Sequence, residues 1–382
     1  MKNYHFYYLK FLAVVSVNLS LIALLNIFID PYKVMNSPII VGINKVKPEL
    51  NNHVRLFKAI EITRLETKMI VLGSSRSEIG LNPNHPALSN YQPSYNLAIT
   101  GANMYEVMRY FQHAIANQPN LKEIILGIDF FMFNRFSKNK PDFKENRLET
   151  TWLTLQDAFE VMFSLSALTA SIETINYNKM EPNAIGYFHP NGMRDTKYYK
   201  SVIYQNQPSK TIFAKILQEF LHRPDLYKTY QLSDERLNNL KTIISTCQER
   251  GIKLTILISP SHASQWEAIR VANLWPVFEQ WKREVVKMAP VWDFSGYNSI
   301  TTEPISNNMK NYLDSSHYSK DVGDLILNRI FHYHEETVPA DFGVLLTSAN
   351  IESHLEKIRA DREVWAKNHL DVVQFVEDLK AR

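Results

Sequence analysis

The sequence contains a single cysteine, Cys247, among its 382 residues. A disulfide within the chain is therefore excluded, and so is a zinc or iron–sulfur site built on several thiolates. The 12 histidines show neither the H-x-x-x-H nor the H-E-x-x-H spacing, and none of the 11 glycines belongs to a G-x-x-x-x-G-K-[ST] phosphate loop. These absences predict that the protein uses no metal, nucleotide or other cofactor.

The sequence also lacks an excess of charge of either sign. Its 42 lysines and arginines nearly balance 39 aspartates and glutamates, so the formal net charge of +3 provides no basic field for nucleic acid. Hydrophobic residues at 45% and aromatic residues at 12% exclude a disordered chain. The length alone favours roughly two or three domains.

The mean hydropathy of -0.24 conceals one strongly apolar segment. Residues 11–29 are uncharged, and a helix of this length just crosses a hydrocarbon core of roughly 30 Å. No small-residue cleavage site follows it, so an anchor within residues 1–33 is favoured over a signal peptide or a buried core helix. Lysines flank both ends of the span, and the charge pattern therefore does not set its orientation.

Beyond the anchor, short apolar runs alternate with amphipathic stretches. The runs that read as buried strands are 68–73, 95–99, 123–129, 252–259 and 291–294. Helices are predicted at 103–116, 234–250, 264–286 and 319–331. Cys247 lies on the apolar face of the helix over 234–250, which makes it a core residue. This alternation predicts an α/β fold, a mostly parallel sheet covered by helices on both faces.

Two segments do not fit the alternation. Residues from about 135 to 232 are predicted to form a helical insertion, with helices near 155–175 and 210–221 and a turn-rich stretch at 186–195. Residues 339–382 are predicted to form a tail whose main element is a charged helix over 351–379. The remaining domain would then cover residues 34–338.

Ser75 lies directly after the first predicted strand, in the sequence Gly73-Ser74-Ser75-Arg76. Open α/β sheets place their sites at the carboxyl ends of strands. A serine there exposes its hydroxyl while the backbone N–H groups of a following helix face a developing oxyanion. Serine is also the commonest residue at a helix N-cap, so this motif alone leaves both interpretations open.

Asp314 and His317 are three residues apart, just before a predicted helix. A histidine becomes an effective base for serine when a carboxylate fixes its tautomer, and one turn can supply both groups. The alternative is that Asp314 caps the turn and that His317 is an ordinary surface residue. Taken alone, the D-x-x-H motif favours this alternative.

Together, the two motifs resemble the SGNH (GDSL-like) hydrolase superfamily over residues 68–335. The resemblance implies a three-layer α/β/α domain of SGNH or flavodoxin-like type, with Ser75 as nucleophile and Asp314 and His317 as its triad partners. It further implies that the N–H groups of Ser75 and Gly101 contribute to the oxyanion hole.

Two positions depart from the superfamily's pattern. Ser74 replaces the usual aspartate of the first motif, and Asp129 stands where an asparagine normally completes the oxyanion hole. An ionised carboxylate beside a developing oxyanion opposes catalysis unless it is protonated or turned away. Asn103 and Asn134 are the candidates to take the missing asparagine's place.

Several further residues are candidates for contact with the substrate. Arg76 and Asp129 adjoin the matched motifs. Tyr187, His189 and Arg194 lie in the turn-rich stretch and suit a sugar or an anionic group, although turn formation explains the same residues. His262 follows the fourth strand in an ordinary Ser-Pro turn. Asp293 ends the fifth strand, where it would orient the His317 loop or serve only in packing or capping.

The membrane anchor narrows the functional interpretation. Anchored proteins of this type resemble the alginate O-acetylation group and the teichoic-acid D-alanyl transfer protein. That resemblance implies a single-pass protein of the bacterial cytoplasmic membrane with an extracytoplasmic domain. It would act on acyl esters of an envelope polysaccharide, as an O-acyltransferase or esterase, beside a membrane-bound O-acyltransferase. The alternative is a catalytically inactive scaffold that binds glycan or a membrane partner, and Asp129 is the feature that supports it.

Overall fold

The computed structural model describes residues Lys2 to Ala381, with side chains from Tyr4 onward, and the chain forms two compact units. Unit 1 comprises Met1–Arg64 and Asp142–Tyr187, and unit 2 comprises Leu65–Pro141 and Phe188–Arg382. The predicted insertion over 135–232 is therefore divided: its central part groups with the N-terminal region, and the remainder belongs to unit 2.

Unit 2 contains a six-stranded sheet in the order β2-β1-β3-β4-β5-β6. The strands are β1 Met69–Leu72, β2 Ser94–Asn96, β3 Glu123–Ile128, β4 Lys253–Ile258, β5 Val291–Asp293 and β6 Val344–Leu346. The first five pair in parallel, whereas β6 pairs with β5 in antiparallel fashion. The predicted α/β class with a mostly parallel sheet is confirmed.

The sixth strand was not predicted. It lies in the region expected to be only a helical tail, and it has just three residues, of which Val344 and Leu345 are exposed. A strand this short carries no clear periodicity, so its pairing with β5 is a tertiary contact that local pattern does not encode.

In most cases a side chain caps the N-terminus of the helix, which explains where the helix begins. They are α1 Lys2–Ile29, α2 Val54–Ile62, α3 Ser75–Gly80, α4 Met104–Asn117, α5 Leu155–Phe163, α6 Leu165–Met180, α7 Thr196–Tyr198, α8 Ser209–His222, α9 Asp234–Arg250, α10 Ala263–Val271, α11 Trp275–Met288, α12 Lys320–Ile330, α13 Ile351–Asn368 and α14 Leu370–Ala381. The predicted helix over 234–250 matches α9, which Ser233 caps and which ends at Gly251 with φ +64.

Three predicted single helices are pairs in the structure. The helix over 155–175 breaks at Ser164, which has an extended backbone and caps α6 through its hydroxyl oxygen, the acceptor of a hydrogen bond from the Ala167 N–H. The helix over 264–286 breaks near Asn273, which has φ +58. The helix over 351–379 breaks at His369. In each case a capping residue or a turn ends the helix, although the apolar pattern of the sequence continues beyond that point.

In unit 1, α1 is long and apolar enough to cross a membrane over Tyr4–Ile29. Most of its side chains are exposed, but Ala23, Asn26 and Ile29 near its C-terminal end are buried. This end packs against α5 and α6. The pair α5 and α6, bent by 52°, is together also apolar enough for a broken span.

Candidate active site

The residues after β1 place Ser75 at the start of α3. Ser74 has an extended backbone and caps α3, its hydroxyl accepting from the Arg76 N–H at 3.2 Å. Gly73 has φ +142, and a Cβ there would lie 2.7 Å from the Gly127 carbonyl oxygen of β3. Only glycine permits this tight exit from the strand. Ser75 itself is 8% exposed, at the end of the sheet where its hydroxyl was predicted to lie.

Asp314 and His317 lie in a tight loop closed by its own backbone. The Leu313 N–H donates to the His317 carbonyl at 2.9 Å, and Tyr312 and Tyr318 form an antiparallel bridge. Asp314 Oδ1 accepts from the N–H groups of Ser316 at 2.6 Å and His317 at 3.0 Å. Asp314 therefore caps the loop, as the simpler interpretation expected, and still has Oδ2 for the histidine ring.

These three residues form a continuous hydrogen-bonded chain. Ser75 Oγ lies 2.8 Å from His317 Nε2, and His317 Nδ1 lies 2.6 Å from Asp314 Oδ2. The carboxylate only accepts, so Nδ1 carries the proton and Nε2 is free to accept the serine proton. Ser75 and His317 are 242 positions apart in sequence, and the fold brings them into direct contact.

The close crossing of α3 and α12 accounts for this contact. Ser75 begins α3, and Ser319, two residues after His317, caps α12. A Cβ on Gly323 would lie 1.8 Å from the Gly80 carbonyl oxygen, and a Cβ on Gly80 would overlap the Tyr318 ring. Since neither glycine has room for a side chain, the two helices approach closely enough to hold serine and histidine together.

Burial and hydrogen bonding act in opposite directions on Asp314. Burial alone would raise the pKa of its carboxyl, but the charge of His317 and hydrogen bonds from His317, Tyr204 and the Ser316 N–H outweigh burial and lower that pKa. Asp314 thus remains a carboxylate, the form that orients the imidazole and stabilises it when protonated.

Tyr204 is a site residue that the sequence analysis missed. Its phenol donates to Asp314 Oδ2, the oxygen that also accepts from His317. Tyr199 lies nearby, with its ring centroid 5.5 Å from that of His317. Tyr204 also lines a cavity of about 300 Å³, together with Lys200, Asn307 and Leu313. The stretch around 204 has no motif, so no sequence signal pointed to a carboxylate 110 residues away.

Arg76 and Asp129, predicted to contact the substrate, instead form a buried ion pair. Arg76 Nη1 lies 2.8 Å from Asp129 Oδ1, and the side chains are 3% and 0% exposed. Ser74 Oγ donates to Asp129 Oδ2 at 2.5 Å, and Arg76 Nε donates to Ser316 Oγ at 3.0 Å. Burial opposes the Arg76 charge, but Asp129 outweighs it and raises the pKa of the guanidinium. The Asp129 charge is therefore neutralised by its partner.

The two asparagines considered as oxyanion donors are already occupied. Asn103 caps α4 through Oδ1, and its amide nitrogen donates to the Ser137 carbonyl and Asn139 Oδ1. The Asn134 amide nitrogen donates to the carbonyls of Pro224 and Leu226. The expectation that either replaces the missing asparagine is corrected, because these buried amides hold loops.

Gly101 lies close to the strand end that carries the serine. The Ile99 N–H donates to the Gly73 carbonyl at 3.0 Å, and this bond ties the Gly101 turn to the segment before Ser75. Gly101 has φ +63, and a Cβ there would meet the Lys140 side chain at 3.0 Å. Its part in an oxyanion hole, together with the Ser75 N–H at the start of α3, stays a prediction.

Arg194, in the turn-rich stretch at 186–195, stabilises the structure rather than contacting a ligand. Arg194 is buried, and its Nε lies 2.8 Å from Glu78 Oε2 in a pair whose side chains are 1% and 0% exposed. Its guanidinium also lies 4.5 Å from the centre of the Phe188 ring. His189 is the exposed member at 47%, and it pairs with Asp195 at 3.2 Å. Tyr187 is buried in unit 1.

His262 is a buried capping residue, which corrects its predicted contact with the substrate. Nδ1 accepts from the Ser264 N–H at 3.1 Å, and Nε2 donates to the Glu303 carbonyl at 2.7 Å. Burial lowers the pKa of His262 to about 4. Its backbone N–H donates to the Ser315 carbonyl at 3.1 Å, so His262 supports the loop that carries His317.

Asp293 belongs to a separate buried cluster. It pairs with Lys282 at 2.6 Å and with His354 Nε2 at 2.8 Å, which links α11, β5 and α13. The packing interpretation is therefore correct, and Asp293 does not orient the His317 loop.

Comparison with known proteins assigns no family. No family model matches the chain, and no curated protein matches it. A solved structure described as "a putative platelet activating factor from Streptococcus pneumonia" aligns with 73% of this chain and 91% of its own, at 12% identity and a TM-score of 0.31. A TM-score of that size establishes neither a common fold nor a common function.

Between Lys2 and Ala381, no group of three or more histidine, cysteine, aspartate or glutamate side chains is placed to hold a metal ion.

Proposed function

We propose that the protein is a membrane-anchored serine enzyme of SGNH-like, three-layer type that forms an acyl-enzyme from an acyl ester. The observation that carries the proposal is the Ser75–His317–Asp314 chain, with heavy-atom distances of 2.8 Å and 2.6 Å. Nucleophile, base and orienting carboxylate within hydrogen-bond reach are the requirements for serine-based acyl transfer.

The reaction follows from the protonation states. His317 Nε2 takes the Ser75 hydroxyl proton while Oγ attacks the ester carbonyl, and Asp314 stabilises the resulting imidazolium. Collapse of the tetrahedral intermediate breaks the acyl–oxygen bond, and His317 returns the proton to the leaving alcohol. An incoming hydroxyl then attacks the acyl-enzyme with His317 again as base, which releases Ser75.

The developing oxyanion needs donors and the absence of opposing charge. The N–H of Ser75 at the start of α3 and that of Gly101 are the proposed donors. Asp129 does not oppose them, because Arg76 and Ser74 bind its two carboxylate oxygens. This pairing supports an active enzyme over an inactive scaffold.

The apolar helix α1 supports an envelope role. In a single-pass protein of the cytoplasmic membrane with unit 2 outside, the acyl acceptor is a hydroxyl of an envelope polysaccharide, and transfer rather than hydrolysis is the proposed outcome. A membrane-bound O-acyltransferase is the proposed partner that delivers the acyl group.

Covalent labelling tests the nucleophile directly. A fluorophosphonate probe should label the full-length wild type, and labelling should be lost in Ser75→Ala and His317→Ala. Ser261→Ala, which alters a fully buried serine after β4, is the matched control and should retain labelling. Absence of labelling and of ester hydrolysis in the wild type would instead support the scaffold.

A second assay separates transfer from hydrolysis. An acyl group followed from a labelled donor ester should appear on an added oligosaccharide, and Ser75→Ala should abolish its appearance. If only free acid forms, the enzyme is an esterase.

A further inference from the structure

The C-terminal end of α1 lies beside the junction of α5 and α6. Asn26 Nδ2 donates to the Met162 carbonyl at 2.9 Å, and Ser171 Oγ donates to Asn26 Oδ1 at 2.8 Å. N-terminal to Ala23, α1 is mostly exposed, and the roughly 19 residues from Tyr4 onward extend about 28 Å, close to a hydrocarbon core's thickness. When α1 spans a bilayer, the α5–α6 junction is therefore at the membrane surface.

The helix α5 exposes large apolar side chains on its outward face. Its outward side chains Leu155 and Phe159, four residues apart and hence on one face, are 92% and 66% exposed. Its inward side holds Asp157, which is 1% exposed and binds Arg147 at 2.8 Å. Glu160 is also exposed, at 53%, and Val161 is buried like Asp157, so the outward face combines large apolar side chains with a charged one, as suits a helix at a lipid–water interface.

The surrounding surface continues this pattern. Trp152 just before α5 is 77% exposed, and Leu165 at the start of α6 is 75% exposed. Unit 1 is the smaller unit, yet outside α1 it carries most of the exposed large hydrophobic side chains of the described chain. An apolar concentration of this kind marks an interaction surface.

We infer that the surface formed by Trp152, Leu155, Phe159 and Leu165 lies in the lipid interface beside the membrane-spanning α1. The inference rests on the proposed membrane anchoring. Lipid is the occupant because the helices bearing this surface pack on α1 at the level where α1 leaves the bilayer. Tryptophan is enriched at that level, and amphipathic helices lie there in the membrane plane. This surface attaches the protein to the membrane at a second place, besides α1, and limits the rotation of unit 1 about the axis of α1.

Quenching of tryptophan fluorescence by brominated lipid tests the inference. Trp152 is the exposed one among the six tryptophans, all of which the structure describes. The full chain in phosphatidylethanolamine–phosphatidylglycerol vesicles with brominated acyl chains should show quenching that Trp152→Phe largely removes. Trp275→Phe, which changes a half-buried tryptophan of unit 2, is the matched control and should leave the quenching unchanged. Leu155→Asp with Phe159→Asp should reduce Trp152 quenching at least twofold.

The outcomes separate this inference from the proposed function. Resistance to carbonate extraction reports α1 insertion, and fluorophosphonate labelling reports the site. If α1 is inserted and labelling is intact but Trp152 is not quenched, the inference is overturned and the surface is left to a protein partner.

A second and independent observation concerns a single π-helical turn, Tyr199–Ile203. The Tyr204 N–H donates to the Tyr199 carbonyl at 2.9 Å, a bond that spans five residues. In an α-helix, the side chains of two residues five positions apart point in directions about 140° apart. Here the rings of Tyr199 and Tyr204 are 5.7 Å apart, and both side chains reach the triad. Gln205 and Asn206 follow in left-handed conformation, with φ +49 and +53. Such π-turns and strained residues concentrate at functional sites.

The geometry points to Tyr204 as a positioning residue for the proposed triad. Its phenol occupies Asp314 Oδ2 beside the bond from His317 Nδ1, which fixes the carboxylate and moderates its negative charge. Without that bond Asp314 attracts the imidazole proton more strongly, and His317 becomes a stronger base.

The pH profile of the Tyr204→Phe variant tests this role. Its kcat/KM should fall about tenfold with KM little changed, and the acidic limb of the profile should move upward by at least half a pH unit. Tyr230→Phe, which removes a buried phenol bonded to the Phe130 carbonyl, is the matched control and should not move the limb. With wild-type labelling intact, an unshifted limb in Tyr204→Phe would overturn the inference and leave the proposed function standing.

Discussion

Unit 1 and unit 2 both bury apolar side chains, but unit 1 exposes more large apolar side chains for its size. Unit 1 buries Asn26 and Asp157 and exposes Leu155, whereas unit 2 surrounds its sheet with an apolar core that includes Val71, Leu257 and Tyr318. The exposed apolar side chains of unit 1 agree with the proposed attachment of this unit to a membrane, whereas nothing in unit 2 calls for a lipid surrounding.

The largest effect expected in unit 2 comes from Asp129→Asn. The amide keeps the shape but leaves the buried Arg76 cation without its charge partner, so the free energy of unfolding should fall by about 3–5 kcal/mol. Denaturant titration measures this loss, and the labelling rate should not rise. Asp225→Asn, in the exposed pair with Arg223, is the matched control and should cost at most about 1 kcal/mol. Faster labelling of Asp129→Asn would show that Asp129 opposes the oxyanion.

The two units should lose stability in different pH windows. His262 in unit 2 has a pKa of about 4 when folded and about 6.5 when unfolded, so the unfolded chain takes up the proton first as pH falls from about 6.5 to 4. Stability should drop there by up to about 1.4 kcal/mol per pH unit. In unit 1, burial opposes ionisation of Asp157, but Arg147 and Lys144 lower its pKa to about 2, so its contribution is lost only between about pH 4 and 2.

Hydrogen exchange on the full chain, resolved by segment, measures these windows. His262→Gln should flatten the dependence between pH 6.5 and 4 in the segments around α10 and leave unit 1 unchanged. Equal loss in both units from pH 6.5 downward would contradict the assignment.

A smaller effect is expected where α1 joins unit 1. Asn26→Leu leaves the Met162 carbonyl and the Ser171 hydroxyl without their partner, at a cost of about 1–3 kcal/mol. Amides of α5 and α6 should exchange faster in vesicles as a result. Asn18→Leu, which removes only a bond to Val14 within α1, is the matched control and should have no such effect.

The smallest effect is expected for His189→Ala. Its exposed pair with Asp195 contributes about 0–1 kcal/mol, and His189 makes no contact with the described triad residues. Thermal unfolding and the labelling rate should both stay near wild type. A large loss of labelling would restore the predicted role of His189 in substrate contact.

Local pattern was sufficient for much of the fold. Apolar runs identified five strands within about three residues at each end, because buried parallel strands are continuously hydrophobic. Capping residues set the ends of α9, but Ser164 and Asn273 broke helices that apolar spacing alone had extended. The short strand β6 was missed, since three residues are too few for a periodic signal.

By itself, the sequence determined the apolar helix, the alternation of strands and helices, the position of Ser75 after a strand, and that of Asp314 and His317 just before a helix. Each of these features depends on residues that are neighbours in the sequence, so the local sequence pattern is enough to predict it. Only the tertiary structure decided that Tyr204 meets Asp314, that Arg76 neutralises Asp129 and that His262 is a cap. These contacts join residues far apart in sequence or depend on where a side chain points, and both follow from packing rather than from any motif.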